Sequence, residues 1–250
     1  MNDTTTVTPA GGLATDETDR LISSDKVEGT PVYNPKRERL GKVHHLMIDK
    51  YTGRVAYAVM SFGGFLGIGE KYYPLPWQML TYDTGLGGYV VDLDRSKLEN
   101  APSYDASTQS PNWSDRSYTD RINQYWRNDQ PAGLASDETD GLISSDKVEG
   151  TTVYNPKGDR LGKVHHLMID KYTGQVAYAV MSFGGFLGLG EKYNPLPWKM
   201  LTYDTRLGGY VVDLDRNKLE DAPSYTSADV PDWSDRKYTT RIDEYWLVIY

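Results

Sequence analysis

The chain contains no cysteine among its 250 residues. That excludes disulfides, thiol nucleophiles and thiolate-held metals, and leaves the redox compartment unreadable from this residue. No stretch approaches the roughly 20 apolar residues that a membrane-spanning helix needs. Met1 to Ala10 is polar and Thr-rich, without the basic start and apolar run of a signal peptide, so a cytoplasmic protein is expected. Positive charge is also in deficit: 27 Lys and Arg face 35 Asp and Glu, a formal net charge of −8. Neutralising phosphates needs a basic face, so nucleic acid is not the expected partner. Purely electrostatic adhesion to an anionic membrane is disfavoured for the same reason.

Tyr and Trp are abundant, 20 and six against four Phe. Their half-polar rings suit positions that are half wet, such as sheet surfaces and interfaces. With 38% hydrophobic and 25% charged residues, the chain fits soluble globular protein, and its length allows one large domain or two ordinary ones.

Duplication decides between these. From Gly12 to Tyr104 a second copy follows at an offset of 121 residues, with 12 differences in 93 positions. After one deletion, PNWSDRSYTDRINQYW (Pro111 to Trp126) matches PDWSDRKYTTRIDEYW (Pro231 to Trp246). The differences fall mostly where turns are expected, as at Arg37/Gly158, Gly85/Arg206 and Arg20/Gly141. The apolar positions are almost unchanged, so both copies fold alike. Expected boundaries are a flexible tail at 1–19, repeat 1 at 20–104, a loop, helix and linker at 105–140, repeat 2 at 141–225, and a loop and C-terminal helix at 226–250.

Within a copy, Ser24 is placed to cap a short turn closed by Gly29. Thr30 to Tyr33 reads as a strand. Lys42 to Asp49 and Arg54 to Phe62 read as a hairpin about Lys50 to Gly53. Gly63 to Trp77 combines glycines, which suggest a bent crossing, with prolines, which confine a strand to a sheet edge. Met79 to Asp83 and Tyr89 to Leu93 form a second hairpin, and Asp94 to Asn100 a helical turn. Ser114 is the expected N-cap of a helix, with Asp115 in its first turn. Tyr118, Ile122, Tyr125 and Trp126 then share one apolar face, as do Tyr238, Ile242, Tyr245 and Trp246. That face must dock on its own copy, on the other copy or on a partner. The fold class is mainly β: several short strands with Gly/Pro turns point to a barrel or a sandwich in each of the two tandem copies, each followed by an amphipathic helix, and closure of a small barrel would remove exposed sheet edges.

The run LGKVHHLMIDKYTGRVAYAVMSFGGFLGIGEKYYPLPWQML (Leu40 to Leu80), which recurs at Leu161 to Leu201, resembles the photosynthetic reaction-centre (PRC) barrel family. The shared features are a Gly-Lys-Val strand, an Asp-x-x-Thr-Gly turn, a strand ending in Phe-Gly-Gly and a Pro-Trp before the next strand. Trp113-Ser114-Asp115-Arg116 and Tyr125-Trp126 resemble the tails of bacterial members. The resemblance implies a small β-barrel similar to the cytoplasmic domain of the reaction-centre H subunit and to the C-terminal domain of a ribosome maturation factor. Both dock on a larger assembly, and neither uses the barrel for covalent chemistry. Neither a membrane helix like that of the H subunit nor the maturation factor's N-terminal domain is recognised in this sequence, so only the habit of binding proteins is expected to carry over.

Candidate sites are weighed on this background. His44-His45 and His165-His166 are the only histidines. Strand neighbours point to opposite faces, so one pair is not expected to grip one metal, and ordinary strand histidines are favoured. The Gly63 to Gly69 loop lacks the helix start and Lys-Ser/Thr of a phosphate cradle; Phe65-Leu66 and Phe186-Leu187 at its tip could form an apolar contact. Asp16, Glu17, Asp19, Asp25, Glu28, Asp49, Asp92 and Asp94 read as solvated turn and cap residues, with no calcium-loop spacing. Trp77 and Trp198 after Pro-Leu-Pro pack at a corner or serve as aromatic anchors for a partner. The C-terminal Leu247 to Tyr250 is apolar, unlike Arg127 to Gln130. No catalytic set, cofactor or metal is expected. The expected function is a non-enzymatic tandem module that binds proteins and docks on a larger complex, with avidity from two heads. A self-associating homo-oligomer or filament is the alternative, and a small-ligand or metal sensor follows it. Peripheral association with a membrane complex stays open.

Overall fold

A computed structural model describes residues 20–65, 68–105, 111–113, 115–126, 142–186 and 189–246. The first copy runs β1 (Leu21–Ser23), α1 (Ser24–Val27), β2 (Pro31–Tyr33), β3 (Arg39–Asp49), β4 (Val55–Phe65), β5 (Ile68–Pro76), a 3-10 turn at Trp77–Met79, β6 (Leu80–Asp83), β7 (Gly88–Val91), α2 (Arg95–Glu99), β8 (Tyr104–Asp105) and α3 (Arg116–Trp126). The second runs β9 (Leu142–Ser144), α4 (Ser145–Val148), β10 (Thr152–Tyr154), β11 (Arg160–Asp170), β12 (Val176–Phe186), β13 (Leu189–Pro197), a 3-10 turn at Trp198–Met200, β14 (Thr202–Asp204), β15 (Gly209–Val211), α5 (Arg216–Glu220) and α6 (Arg236–Trp246).

The long hairpins carry each sheet. β3 pairs antiparallel with β4, and β4 with β5 through to Phe65 opposite Ile68. Gly63 to Trp77, expected as a bent crossing, is therefore mostly strand. β5 keeps its prolines near the margin: among the described residues, only the two-residue β8 lies outside it. β13 is the edge of its own sheet. The order is β6-β7-β2-β3-β4-β5-β8, and β13-β12-β11-β10-β15-β14 in the second copy. β2 and β7 pair in parallel, as do β10 and β15. Among the described residues the ends of these paths do not pair with each other, so the sheets are not closed, contrary to the expected barrel closure.

Ala58, Val59 and Met60 are consecutive and fully buried, so both faces of β4 are covered. The trailing helix covers part of this. Trp126 Nε1 donates to the Pro74 carbonyl at 3.0 Å, Tyr125 OH to the Lys97 carbonyl at 2.6 Å, and Tyr57 OH to Asn123 Oδ1 at 2.7 Å. α6 repeats these contacts on Pro195, Lys218 and Tyr178. Each helix therefore docks on its own copy. At the start of α3, Asp115 Oδ1 accepts from the Ser117 N–H and the Asp115 carbonyl from the Thr119 N–H. Ser114 itself lies outside the described residues, as do the tail at 1–19, Leu66, Leu187 and Leu247 to Tyr250.

The first strand of each copy is exchanged. β1 pairs with β11, Leu21 opposite Asp170, Ile22 opposite Ile169 and Ser23 opposite Met168. β9 pairs with β3, Leu142 opposite Asp49, Ile143 opposite Ile48 and Ser144 opposite Met47. Each copy thus completes the sheet of the other.

Candidate functional site at the seam between the copies

The exchanged arm carries a hydrogen-bond relay that alternates between copies. The Leu46 N–H donates to Ser145 Oγ at 3.1 Å, and Ser145 Oγ donates to Glu28 Oε1 at 2.6 Å. Symmetrically, the Leu167 N–H donates to Ser24 Oγ at 3.0 Å, and Ser24 Oγ donates to Glu149 Oε1 at 2.5 Å. Ser24 therefore reaches across the seam instead of capping α1, whose cap position is Ser23 and has no side-chain bond to the helix N–H groups. Burial raises the Glu28 carboxyl above its usual range, and the Ser145 hydroxyl only partly offsets this. Burial pushes Glu149 up to about 7, aided by the neighbouring charges of Glu28, Asp25 and Asp146. Glu28 and Asp25, expected as solvated turn residues, are parts of this acidic centre; Asp25 remains exposed and accepts from Ser23 Oγ.

The Asp-Lys-Tyr-Thr-Gly turns form the second part of the seam. Asp49 Oδ1 accepts from the Tyr51 and Thr52 N–H groups at 2.9 and 2.7 Å, and the Asp49 carbonyl from the Gly53 N–H at 2.8 Å. Asp170 does the same for Tyr172, Thr173 and Gly174. The two turns then bond to each other, Val55 N–H to the Gly174 carbonyl at 2.8 Å and Val176 N–H to the Gly53 carbonyl at 2.9 Å. Trp77 lies against Gly174 and Trp198 against Gly53. Lys50 Nζ sits 4.5 Å from the Tyr203 ring centroid, and Lys171 Nζ 4.3 Å from that of Tyr82, distances at which cation–π attraction operates. Tyr51 and Tyr172, on these turns, are 50% and 51% exposed.

The histidine pairs depart from the alternation expected of a strand. The register slips between Val43 and His45, so His44 and His45 together oppose Val59. Such a bulge re-aims side chains, and the two Nδ1 atoms meet at 2.8 Å. The second pair repeats this at His165 and His166. Burial lowers His44, and lowers His45 to about 4 with help from His44. At least one ring of the touching pair must be neutral to accept, which these shifts allow. Among the described residues no three His, Asp or Glu side chains are grouped to hold a metal ion.

The apolar candidates go mostly inside. Trp77, Ile122, Trp126, Trp198, Ile242 and Trp246 are buried, and Tyr118 nearly so. Tyr125, Tyr238 and Tyr245 are half-buried against the core. Burial against the chain itself takes the fully buried side chains among them out of an outward contact. Trp77 and Trp198 join the copies, and the helix residues join helix to sheet. Phe65 and Phe186 lie on strands β4 and β12. A cleft of about 790 Å³ opens in the second copy beside Arg20, Tyr178, Trp198, Trp233 and Asp243. Arg20 pairs there with Asp170 across the seam. The Ser-Glu relays and the exposed turn tyrosines were not singled out from the sequence. Their one visible signal is the exact recurrence of Ser-Ser-Asp-Lys-Val-Glu and Asp-Lys-Tyr-Thr-Gly in both copies.

The PRC-barrel domain model matches residues 19–98 and 140–219. The chain belongs to the PRC-barrel domain family, as two tandem copies. No curated protein matches the chain. Among the described residues, no helix is long and apolar enough to cross a membrane.

Proposed function

We propose that this protein is a non-catalytic docking module whose two copies act as one rigid body, presenting the same surface twice to a two-fold or repeating protein partner in the cytoplasm. The observation that supports this is the pair Tyr51 and Tyr172. Both are large and half exposed, and both sit on turns held in fixed relation by the reciprocal Val55–Gly174 and Val176–Gly53 bonds. Tyrosine at a two-fold related position supplies a half-apolar anchor at low conformational cost. Fixed spacing lets the second anchor bind intramolecularly once the first is engaged. The acidic balance favours a protein over a nucleic acid, and the docking habit of the relatives points the same way.

The test is retention of a native complex isolated gently from the source cells, whose members are then identified. Tyr51→Ala and Tyr172→Ala should each weaken retention about tenfold, for about 1–2 kcal/mol per anchor, and the double variant should abolish it. Equal retention of wild type and double variant removes this role from the turns.

A further inference from the structure

The contacts of the seam occur in pairs. Leu21 opposite Asp170 is matched by Leu142 opposite Asp49, Ser24–Glu149 by Ser145–Glu28, Trp198–Gly53 by Trp77–Gly174, and Lys50–Tyr203 by Lys171–Tyr82. In each match the two copies contribute the same residue types. The surface is therefore self-complementary, the defining property of an isologous two-fold contact. Differences between the copies touch its margin at Arg20/Gly141 and Arg54/Gln175, and leave the residues above identical.

We propose that this seam also joins separate chains: the first copy of one molecule pairs with the second copy of another, giving a closed, arm-exchanged dimer with two seams. Nothing in the contacts distinguishes a copy in the same chain from one in a second chain. Only connection favours the former. Residues 127–141 join the copies, and a linker of this length gives an effective concentration in the millimolar range. Exchange forms the same seam pairings and so leaves no new strand edge open, and swapping identical elements between chains is a low-cost route to a dimer. This stands apart from the docking role, because it depends on the seam and not on Tyr51 and Tyr172.

The absence of cysteine makes a clean test. Met47 and Ser144 face each other across the seam, as do Ser23 and Met168. A chain carrying both Met47→Cys and Ser144→Cys should close an intrachain disulfide. Chains carrying one substitution each are unfolded together, refolded at rising concentration and oxidised. The expected result is a covalent two-chain product whose yield climbs several-fold toward millimolar chain. The Ser23→Cys and Met168→Cys pair provides a second variant set. Heavy-isotope and light wild-type chains refolded together should also give a dimer of mixed mass by native mass spectrometry. Single chains alone at every concentration, in the wild-type mixture and in the cysteine pairs, overturn the proposal. A double variant that folds but never closes overturns it too, because the seam would then not place these residues together.

Discussion

Trp198 in the second copy closes on the backbone of Gly53 in the first so tightly that a Cβ built at Gly53 would lie 2.3 Å from the indole Nε1. Gly174 stands in the same relation to Trp77, at 2.5 Å. Both glycines have positive φ, +69° and +71°. Two independent constraints, left-handed backbone and contact with a partner ring, thus fall on one residue.

Gly53→Ala and Gly174→Ala should each destabilise the protein by roughly 2–4 kcal/mol, combining overpacking with left-handed strain. Gly29 is the control. It has φ +89° and open space around its Cβ position, so Gly29→Ala should cost only about 1 kcal/mol. Urea denaturation midpoints read the difference.

The acidic centre gives a pH dependence of definite sign. Glu149 titrates near 7 in the folded protein against 4.5 as its ordinary value. The folded state therefore holds the extra proton between these values, and this group's contribution to stability is lost as pH rises through 7. Glu149→Gln should stabilise at pH 8 and give no gain at pH 4.5. His45 works in the opposite direction. Its folded value of about 4 lies below the ordinary 6.5, so its contribution is lost as pH falls from 6.5 toward 4. His45→Gln should accordingly flatten the acid side of the stability curve. Thermal melting from pH 4 to 8 on the two variants separates the terms.

Asn194 replaces Tyr73 at an otherwise matching core position. It is fully buried; its Nδ2 donates to the Leu219 carbonyl at 3.2 Å, while Oδ1 has no hydrogen-bond partner among the described residues. A buried unpaired acceptor costs about 1–3 kcal/mol. Asn194→Tyr should restore the first copy's arrangement and stabilise by about 1–2 kcal/mol. An unchanged or lower denaturation midpoint would mean that the second copy has repacked around the smaller side chain.

Much of the fold was legible because local signals agree with the final structure. The Asp-Lys-Tyr-Thr-Gly turn, the flanking strands and the helical face at Ile122, Tyr125 and Trp126 each depend on spacing alone. The exchanged arm was not legible. Leu21 to Ser23 carries the same strand pattern whether it pairs at home or abroad, and near-identical copies offer two equivalent acceptors. Glu28 was placed among solvated carboxylates because its partner, Ser145, lies 117 residues away. The histidine pairs were misplaced by strict alternation, since a one-residue bulge leaves no mark in composition. Closure of the sheets was expected from the family resemblance, and the paired strands end without it.

The interlocking of the two copies is tested most directly by cutting the chain between them. A protease site inserted within residues 127–141 allows cleavage of the folded protein, followed by native mass measurement at low micromolar concentration. The exchanged arms and the turn-to-turn bonds predict that the two fragments remain together at the mass of the whole chain until they are unfolded. Two separate half-sized particles after cleavage would contradict the seam.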